Sequence, residues 1–162
     1  MKHLKHLFIL TLALCLSLPL LAACGGGGET SQPYSFRYGS ATMTPGTLAK
    51  NALTSLGDPQ SFSESGSCGG IPGTDKVYRY AGFTVYTTPG TKGDVISEIV
   101  LNDDSVKTPE GVAIGSTEQA VKEALGIGEQ SGGTWIYTGG STQLILTMRD
   151  GKVSGIRYGS KN

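Results

Sequence analysis

Two stretches of the chain share one spacing of apolar and polar positions over fifteen residues, beginning at Met43 and at Val112. Each has a glycine, then Thr or Ser, then apolar residues at intervals of three and four, which is the pattern of a short amphipathic helix. The apolar helical positions are Leu48, Ala49, Ala52, Leu53 and Leu56 in the first stretch, and Ala120, Val121, Ala124 and Leu125 in the second. Gly57 and Gly126 follow and fit the position just past a helix C-terminus. Ser116 and Gln119 have the spacing of a capping box.

After each helical stretch the apolar pattern changes to a period of two, which predicts strands. Residues 78–80 match residues 135–137, and residues 96–101 match residues 153–158, both at an offset of 57. Further strands are predicted at 83–87 and 144–148, and an extra strand at 34–38. Ala81-Gly82 and Asp150-Gly151 are hairpin signals.

These patterns predict a duplicated α+β domain, with repeats at about 43–103 and 112–158. Each repeat is a helix followed by three strands. We expect the two repeats to form one antiparallel sheet with both helices on one face. The helices are related by an offset of 69 and the strands by 57, so the first repeat contains an insertion, predicted as a long loop at about 58–76.

The N-terminus has a different pattern, with a basic start and a short apolar run interrupted by Pro19. Such a segment is typical of a secretory signal peptide, predicted here over residues 1–23, and the run is shorter than a membrane-spanning helix requires. Its end, Leu21-Ala22-Ala23-Cys24, resembles the lipobox of bacterial lipoproteins. The resemblance implies cleavage between Ala23 and Cys24, and a diacylglycerol anchor with palmitate-type chains on Cys24.

The expected location is therefore the outer face of a bacterial cell membrane, with the lipid bilayer as a partner through acylated Cys24. Two or more acyl chains give stable anchoring, whereas one chain is marginal. Residues 24–33 contain Gly25-Gly26-Gly27-Gly28 and predict a flexible tether. The folded domain is expected at residues 34–162.

Charge and composition exclude several functions for the mature chain. The whole chain has 13 basic and 13 acidic residues. Lys2 and Lys5 leave with the signal, so the remaining balance is slightly acidic and does not favour nucleic acid. Both histidines, His3 and His6, also leave, which excludes a Ser-His-Asp or Cys-His catalytic site and histidine-ligated zinc.

Two local features remain as candidate sites. After cleavage Cys68 is the only cysteine besides the lipidated one, so it is a possible reactive or intermolecular thiol, or else a thiol without a role. The acidic turn at 102–105 does not have the spacing of a calcium loop and is interpreted as solvated charge. We predict no catalytic residue, metal or cofactor.

The aromatic residues of the predicted strands suggest a binding face. These are Tyr78, Tyr80, Tyr86, Trp135 and Tyr137. Adjacent strand residues point to opposite faces, so not all of them can lie in the core, and aromatic residues are enriched at binding hot spots. The alternative is that they divide between the core and ordinary cross-strand pairs.

The Gly-Ser-Thr-x-x-x-Val-x-x-x-Leu-Gly run followed by a strand meander resembles the superfamily of the β-lactamase inhibitory protein. That group includes small outer-membrane assembly lipoproteins of the SmpA/OmlA (BamE) type. Residues 75–86 and 105–115 resemble uncharacterised Gram-positive lipoproteins. The resemblance implies binding rather than catalysis and supplies no active-site residues.

The expected protein is thus a non-catalytic, membrane-anchored extracytoplasmic lipoprotein that binds another protein or an envelope component such as a glycan. One alternative is an inhibitor of an extracellular or cell-wall enzyme that inserts the 58–76 segment. A second alternative is a structural lipoprotein of envelope assembly. The sequence identifies neither the partner nor the oligomeric state.

Overall fold

The computed structural model, which describes residues 30–68 and 70–161, contains ten strands and two short helices. The strands are β1 (Phe36–Tyr38), β2 (Ala41–Met43), β3 (Ser61–Gly66), β4 (Thr74–Tyr80), β5 (Phe83–Thr88), β6 (Val95–Leu101), β7 (Glu129–Ser131), β8 (Thr134–Gly139), β9 (Thr142–Arg149) and β10 (Lys152–Ser160). The helices are α1 (Lys50–Leu56), after β2, and α2 (Glu118–Leu125), after β6.

Eight of these strands form one antiparallel sheet in the order β3-β4-β5-β6-β10-β9-β8-β7. Each half of the chain contributes a meander of four strands, and the meanders join at the centre through β6 and β10. In that central pair Leu101 lies opposite Ile156 and Ile99 opposite Tyr158. Strands β1 and β2 form a separate hairpin.

The predicted α+β class, with helices covering one face of a single sheet, is wrong. The protein is mostly β, because the helices have only 7 and 8 residues and each buries a single side chain, Ala52 in α1 and Val121 in α2. Much of the core is supplied by the sheet, the β1–β2 hairpin and a loop rather than by the helices. The β1–β2 hairpin adds Phe36 and Met43, and the connection between β6 and α2 adds Val112.

The predicted count of three strands per repeat is also wrong. The segment predicted as a loop at 58–76 contains β3 and the start of β4, and the second half has the short strand β7 in the equivalent place. All six residues of β3 are exposed. An edge strand exposed on both faces needs no hydrophobic alternation, so the sequence pattern does not indicate it.

The two halves make the same hydrogen bonds at equivalent positions. Gly46 N–H donates to the Ile96 carbonyl at 2.8 Å, and Gly115 N–H donates to the Val153 carbonyl at 2.8 Å. An approximate two-fold axis perpendicular to the sheet, between β6 and β10, relates them. This symmetry places the start of α1 at one end of the strands and the start of α2 at the other, where the bridge partners are Leu48 with Val95 and Thr117 with Lys152.

The N-terminal predictions, namely the signal peptide, the cleavage site between Ala23 and Cys24, and lipidated Cys24, lie outside the described residues. The last part of the predicted tether is described and contacts the sheet. Thr30 N–H donates to the Thr138 carbonyl at 3.0 Å, and Gly140 N–H donates to the Thr30 carbonyl at 2.9 Å. Among the described helices, none has the length and apolar character needed to cross a bilayer.

Candidate functional site

The five aromatic residues proposed as a binding face do not share one exposed surface. Tyr80, Trp135 and Tyr137 are buried with relative exposures of 8%, 6% and 5%. Tyr78 is half-buried on the same side of the sheet and packs against Phe62 at a ring-centroid distance of 5.1 Å. Only Tyr86 lies on the opposite face, since it is one position out of phase with buried Val85.

Specific contacts hold the aromatic side chains in the core. The Tyr80 hydroxyl donates to the Gly57 carbonyl at 3.3 Å, and the Tyr137 hydroxyl donates to the Gly126 carbonyl at 3.1 Å. Both bonds join a strand to the end of a helix. Burial raises the pKa of each of these tyrosines above the ordinary value, which keeps the phenols protonated further into the alkaline range. The Lys122 ammonium lies 5.5 Å from the Trp135 ring centre and covers it.

The other side of the eight-stranded sheet, which we call the open face, carries a different set of side chains. Two rows of cross-strand neighbours run across its central strands. The first row is Arg79, Thr84, Val100, Arg157, Ile145 and Ile136, and the second is Val77, Tyr86, Glu98, Gly159, Gln143 and Thr138. Apart from buried Thr84, these residues are half-buried or exposed.

A groove of about 620 Å³ lies on the open face where the two halves meet. Gly159 lies between Glu98 and Gln143 in its row and has no side chain. A Cβ atom built at Gly159 meets no heavy atom within 4 Å, so this position is an open depression. Ile136 and Ile145 provide an apolar wall beside it. We call this depression the central groove.

One ion pair crosses the floor between β6 and β10 in the central groove. Arg157 Nη1 lies 3.2 Å from Glu98 Oε1, and the side chains are 54% and 33% exposed. Pairs of this exposure contribute little to folding stability, typically under about 1 kcal/mol. The guanidinium and carboxylate can therefore exchange partners with a bound molecule at low cost.

The residues of the central groove were not among those proposed from the sequence. The prediction rested on aromatic residues, and most of these lie on the core face of the sheet. Trp135 and Tyr137 point into the core, whereas Ile136 between them points to the open face. The strand register contains the missing signal. Gly159 and Ile145 lie on the open face of β10 and β9, where polar residues predominate, yet neither is a typical solvent-facing residue.

The remaining candidates occupy separate places. Cys68 is an exposed free thiol just after β3, far along the sheet from the central groove. In the acidic turn, Asp103 accepts a hydrogen bond from Ser105 N–H at 2.9 Å, and the side-chain and backbone bonds from Ser105 lower the pKa of Asp103. Across residues 30–68 and 70–161, no group of three His, Cys, Asp or Glu side chains could hold a metal ion.

Comparison with known proteins gives a distant structural neighbour. The crystal structure of a DUF4309 family protein (YjgB) from Bacillus subtilis is 16% identical, with a TM-score of 0.41, and the match covers 71% of this chain and 79% of that one. At this distance it assigns neither a family nor a function. No protein-family model and no curated protein matches the chain. The resemblance to the superfamily of the β-lactamase inhibitory protein therefore stays a prediction.

Proposed function

We propose that the protein is a lipid-anchored extracytoplasmic module that binds a protein or other cell-envelope component through the open face, without catalysis. The observation that carries this proposal is the central groove, where Ile136 and Ile145 lie beside the exposed Arg157–Glu98 pair. The lipobox at Cys24 supports the anchor.

The chemistry of the central groove favours binding. It offers apolar area for desolvation, one cation and one anion for orientation, and the Gln143 amide for hydrogen bonds. Such a combination of an apolar patch with a few polar groups is typical of recognition surfaces. The antiparallel sheet also fixes the backbone positions of these residues, so little backbone conformational entropy is lost on binding.

Site-specific photocrosslinking in living cells tests this proposal. A photoreactive residue at Gln143 is expected to capture one abundant envelope component, and the capture is expected to fall when Cys24→Ala removes the anchor. The control carries the same group at exposed Gln119 in α2, on the core side of the sheet. Equal capture from both positions would contradict the assignment to the open face.

Binding of the purified, captured component provides the second test. We expect Ile145→Asp to weaken binding at least tenfold, because it places a charge on the apolar wall of the central groove. Thr147→Asp adds the same charge to an exposed position two residues along β9, outside the central groove, and is the matched control. Unfolding curves of both variants would verify that the fold is intact. Equal loss in the two variants would argue against the central groove.

A specific observation supports a second candidate function, an inhibitor of an extracellular or cell-wall enzyme. The hairpin formed by β3 and β4 lies at an edge of the sheet, and it carries exposed Phe62 and Ile71. An exposed apolar hairpin is suited to enter an enzyme cleft. Inhibition assays against the cell-wall hydrolases and transpeptidases of the producing cell would test it, with Phe62→Ser expected to abolish any inhibition.

A further inference from the structure

The described part of the tether enters the domain at one defined end of the strands. Thr30 is hydrogen-bonded to the turn between β8 and β9, as described above. The end of β10 and the start of β6 lie at this same end of the sheet. Lys161 N–H donates to the Ser141 carbonyl at 2.8 Å, and Ser160 Oγ lies 3.8 Å from a Cβ atom built at Gly46. The loop after Gly46 leads to Leu48, which bridges Val95. We call this end of the sheet, with the β8–β9 turn, the end of β10 and the start of β6, the proximal end.

The proximal end carries an apolar groove of about 420 Å³ beside the start of α1. Leu48 lies at its rim and is 50% exposed, so its side chain is accessible to a partner. Leu53 lines the groove from α1, and two exposed lysines, Lys50 and Lys92, flank it.

The charge around this groove is positive. Neither Lys50 nor Lys92 forms an ion pair with any other described residue. The acid that also lines the groove, Asp94, is paired with Lys76 at 2.8 Å. An exposed leucine between uncompensated lysines fits a surface that is both apolar and anionic, and a bilayer with acidic headgroups has these properties.

The length of the chain between the lipid site and the domain limits the orientation. Six Cα–Cα steps separate Cys24 from Thr30, and in any conformation they span at most about 22 Å. The eight residues of β9 extend about 26 Å from the proximal end to the turn at Asp150 and Gly151. A domain standing with that distal turn on the bilayer would need residues 24–30 to be almost fully extended, whereas the proximal end can lie on the bilayer with the tether in any conformation.

We propose that the proximal end faces the membrane and that Leu48, Lys50 and Lys92 contact anionic lipid headgroups there. This inference rests on the proposed lipid anchor at Cys24. In this orientation the strands run away from the bilayer, and the open face with its central groove faces sideways, where an envelope component can reach it.

Fluorescence of the lipidated full-length protein on vesicles tests the orientation. In a Cys68→Ser background, an environment-sensitive dye is attached at Asn51→Cys, in the first turn of α1, or at Ala120→Cys. The internal two-fold axis makes Ala120 the equivalent exposed position in α2 at the distal end. The vesicles contain equal parts of phosphatidylglycerol and phosphatidylcholine, with a lipid-attached quencher.

We expect several-fold stronger quenching at position 51 than at position 120, since only the first lies at the membrane. Lys50→Gln with Lys92→Gln should reduce the quenching at position 51 to the level seen on pure phosphatidylcholine, because each lysine near an anionic surface contributes about fivefold to its partitioning. Arg149→Gln with Lys152→Gln removes the same charge from exposed positions at the distal end. This control should leave the quenching unchanged.

Failure of the anchor and failure of the orientation give different results. If mass spectrometry finds Cys24 unmodified and the protein does not float with the vesicles, the proposed anchor is overturned, and the orientation with it. If the protein floats but both positions are quenched equally, or position 120 more strongly, the orientation alone is overturned. Binding of free phosphate at the lysines would appear as an effect of added inorganic phosphate without vesicles, and would also contradict a lipid contact.

Discussion

At the scale of single residues, buried tyrosine hydroxyls connect the sheet to the helix ends. Tyr80 and Tyr137 occupy equivalent positions in the two halves, and each donates to the carbonyl of the glycine that ends its helix. The ring packs in the core while the hydroxyl donates a hydrogen bond to a carbonyl at the helix C-terminus. The sequence suggested an exposed role for both residues, because composition alone does not show which phase of a strand is buried.

Removing one of these hydroxyls should cost stability. Tyr137→Phe keeps the ring and deletes the bond to the Gly126 carbonyl, so we expect the free energy of unfolding to fall by about 1 kcal/mol. Tyr86→Phe is the matched control on the half-buried open face and should stay within about 0.5 kcal/mol of wild type. Urea unfolding at neutral pH measures both. A loss at Tyr86 equal to that at Tyr137 would contradict the assignment.

Tyr158 makes stability depend on alkaline pH. Its side chain is fully buried between the halves, and burial raises its pKa well above the ordinary 10.0; the Thr108 hydroxyl beside it opposes this shift without cancelling it. The folded state therefore holds the phenol proton more tightly than the unfolded chain. This stabilisation is fully present below pH 10 and is lost as the pH rises further.

Between pH 10 and 11.5 we expect the free energy of unfolding to fall more steeply in wild type than in Tyr158→Phe. The difference should approach about 1.4 kcal/mol per pH unit, the value for one proton. Lys76, whose pKa is raised first by its hydrogen bond to Asp94, adds a loss of the same sign in both proteins. Unfolding curves across this range test the expectation, which fails if the two profiles run parallel.

At the scale of elements, predictions from periodicity succeeded where one face of a segment is buried. Strands lie where alternation placed them at 83–87, 96–101 and 144–148, and both helices follow their apolar spacing. The polar edge strand β3 left no such signal. The helix cap was misplaced by one residue: Thr117 accepts from Ala120 N–H at 3.2 Å, whereas Ser116 accepts from Ala113 N–H. Adjacent Ser and Thr both satisfy a capping pattern, and only the backbone geometry distinguishes them.

The turns between strands differ in how closely they are packed, although their glycines look alike in the sequence. Gly82 has φ of +81°, and an added Cβ would lie 2.9 Å from Val106 Cγ1. Gly151 has φ of +72°, but its Cβ would meet no heavy atom within 4 Å. Gly82→Ala should therefore combine backbone strain with overpacking and lower the free energy of unfolding by about 3 kcal/mol.

Gly151→Ala is the matched control, since it introduces only the strain of a positive φ and should cost about 1 kcal/mol. Thermal and urea unfolding of the two variants would measure the difference. Equal destabilisation would show that the loop carrying Val106 does not pack on the turn between β4 and β5.

At the scale of the whole molecule, the sequence revealed related halves but not how they combine. Matching offsets of 57 and 69 identify equivalent segments, yet nothing in a single repeat specifies that β6 pairs with β10. That pairing depends on long-range complementarity between Ile99, Leu101, Ile156 and Tyr158. It creates the central groove, whose residues come from both halves, and so the candidate site could not be predicted from either repeat alone.

Because β6 and β10 are central strands of one sheet and the core is continuous across them, we expect the two halves to unfold as one unit. The chain has a single tryptophan, Trp135, which reports on the second half. Ile99 is fully buried in the first half, and Ile99→Ala should lower the free energy of unfolding by about 2–5 kcal/mol. Trp135 fluorescence and far-ultraviolet circular dichroism should report the same shifted urea transition.

Val100→Ala, at the half-buried neighbouring position on the open face, is the control and should lower the free energy of unfolding by less. If Ile99→Ala moved the circular dichroism transition and left the Trp135 transition in place, the halves would be separate folding units and the central groove an interface between two domains.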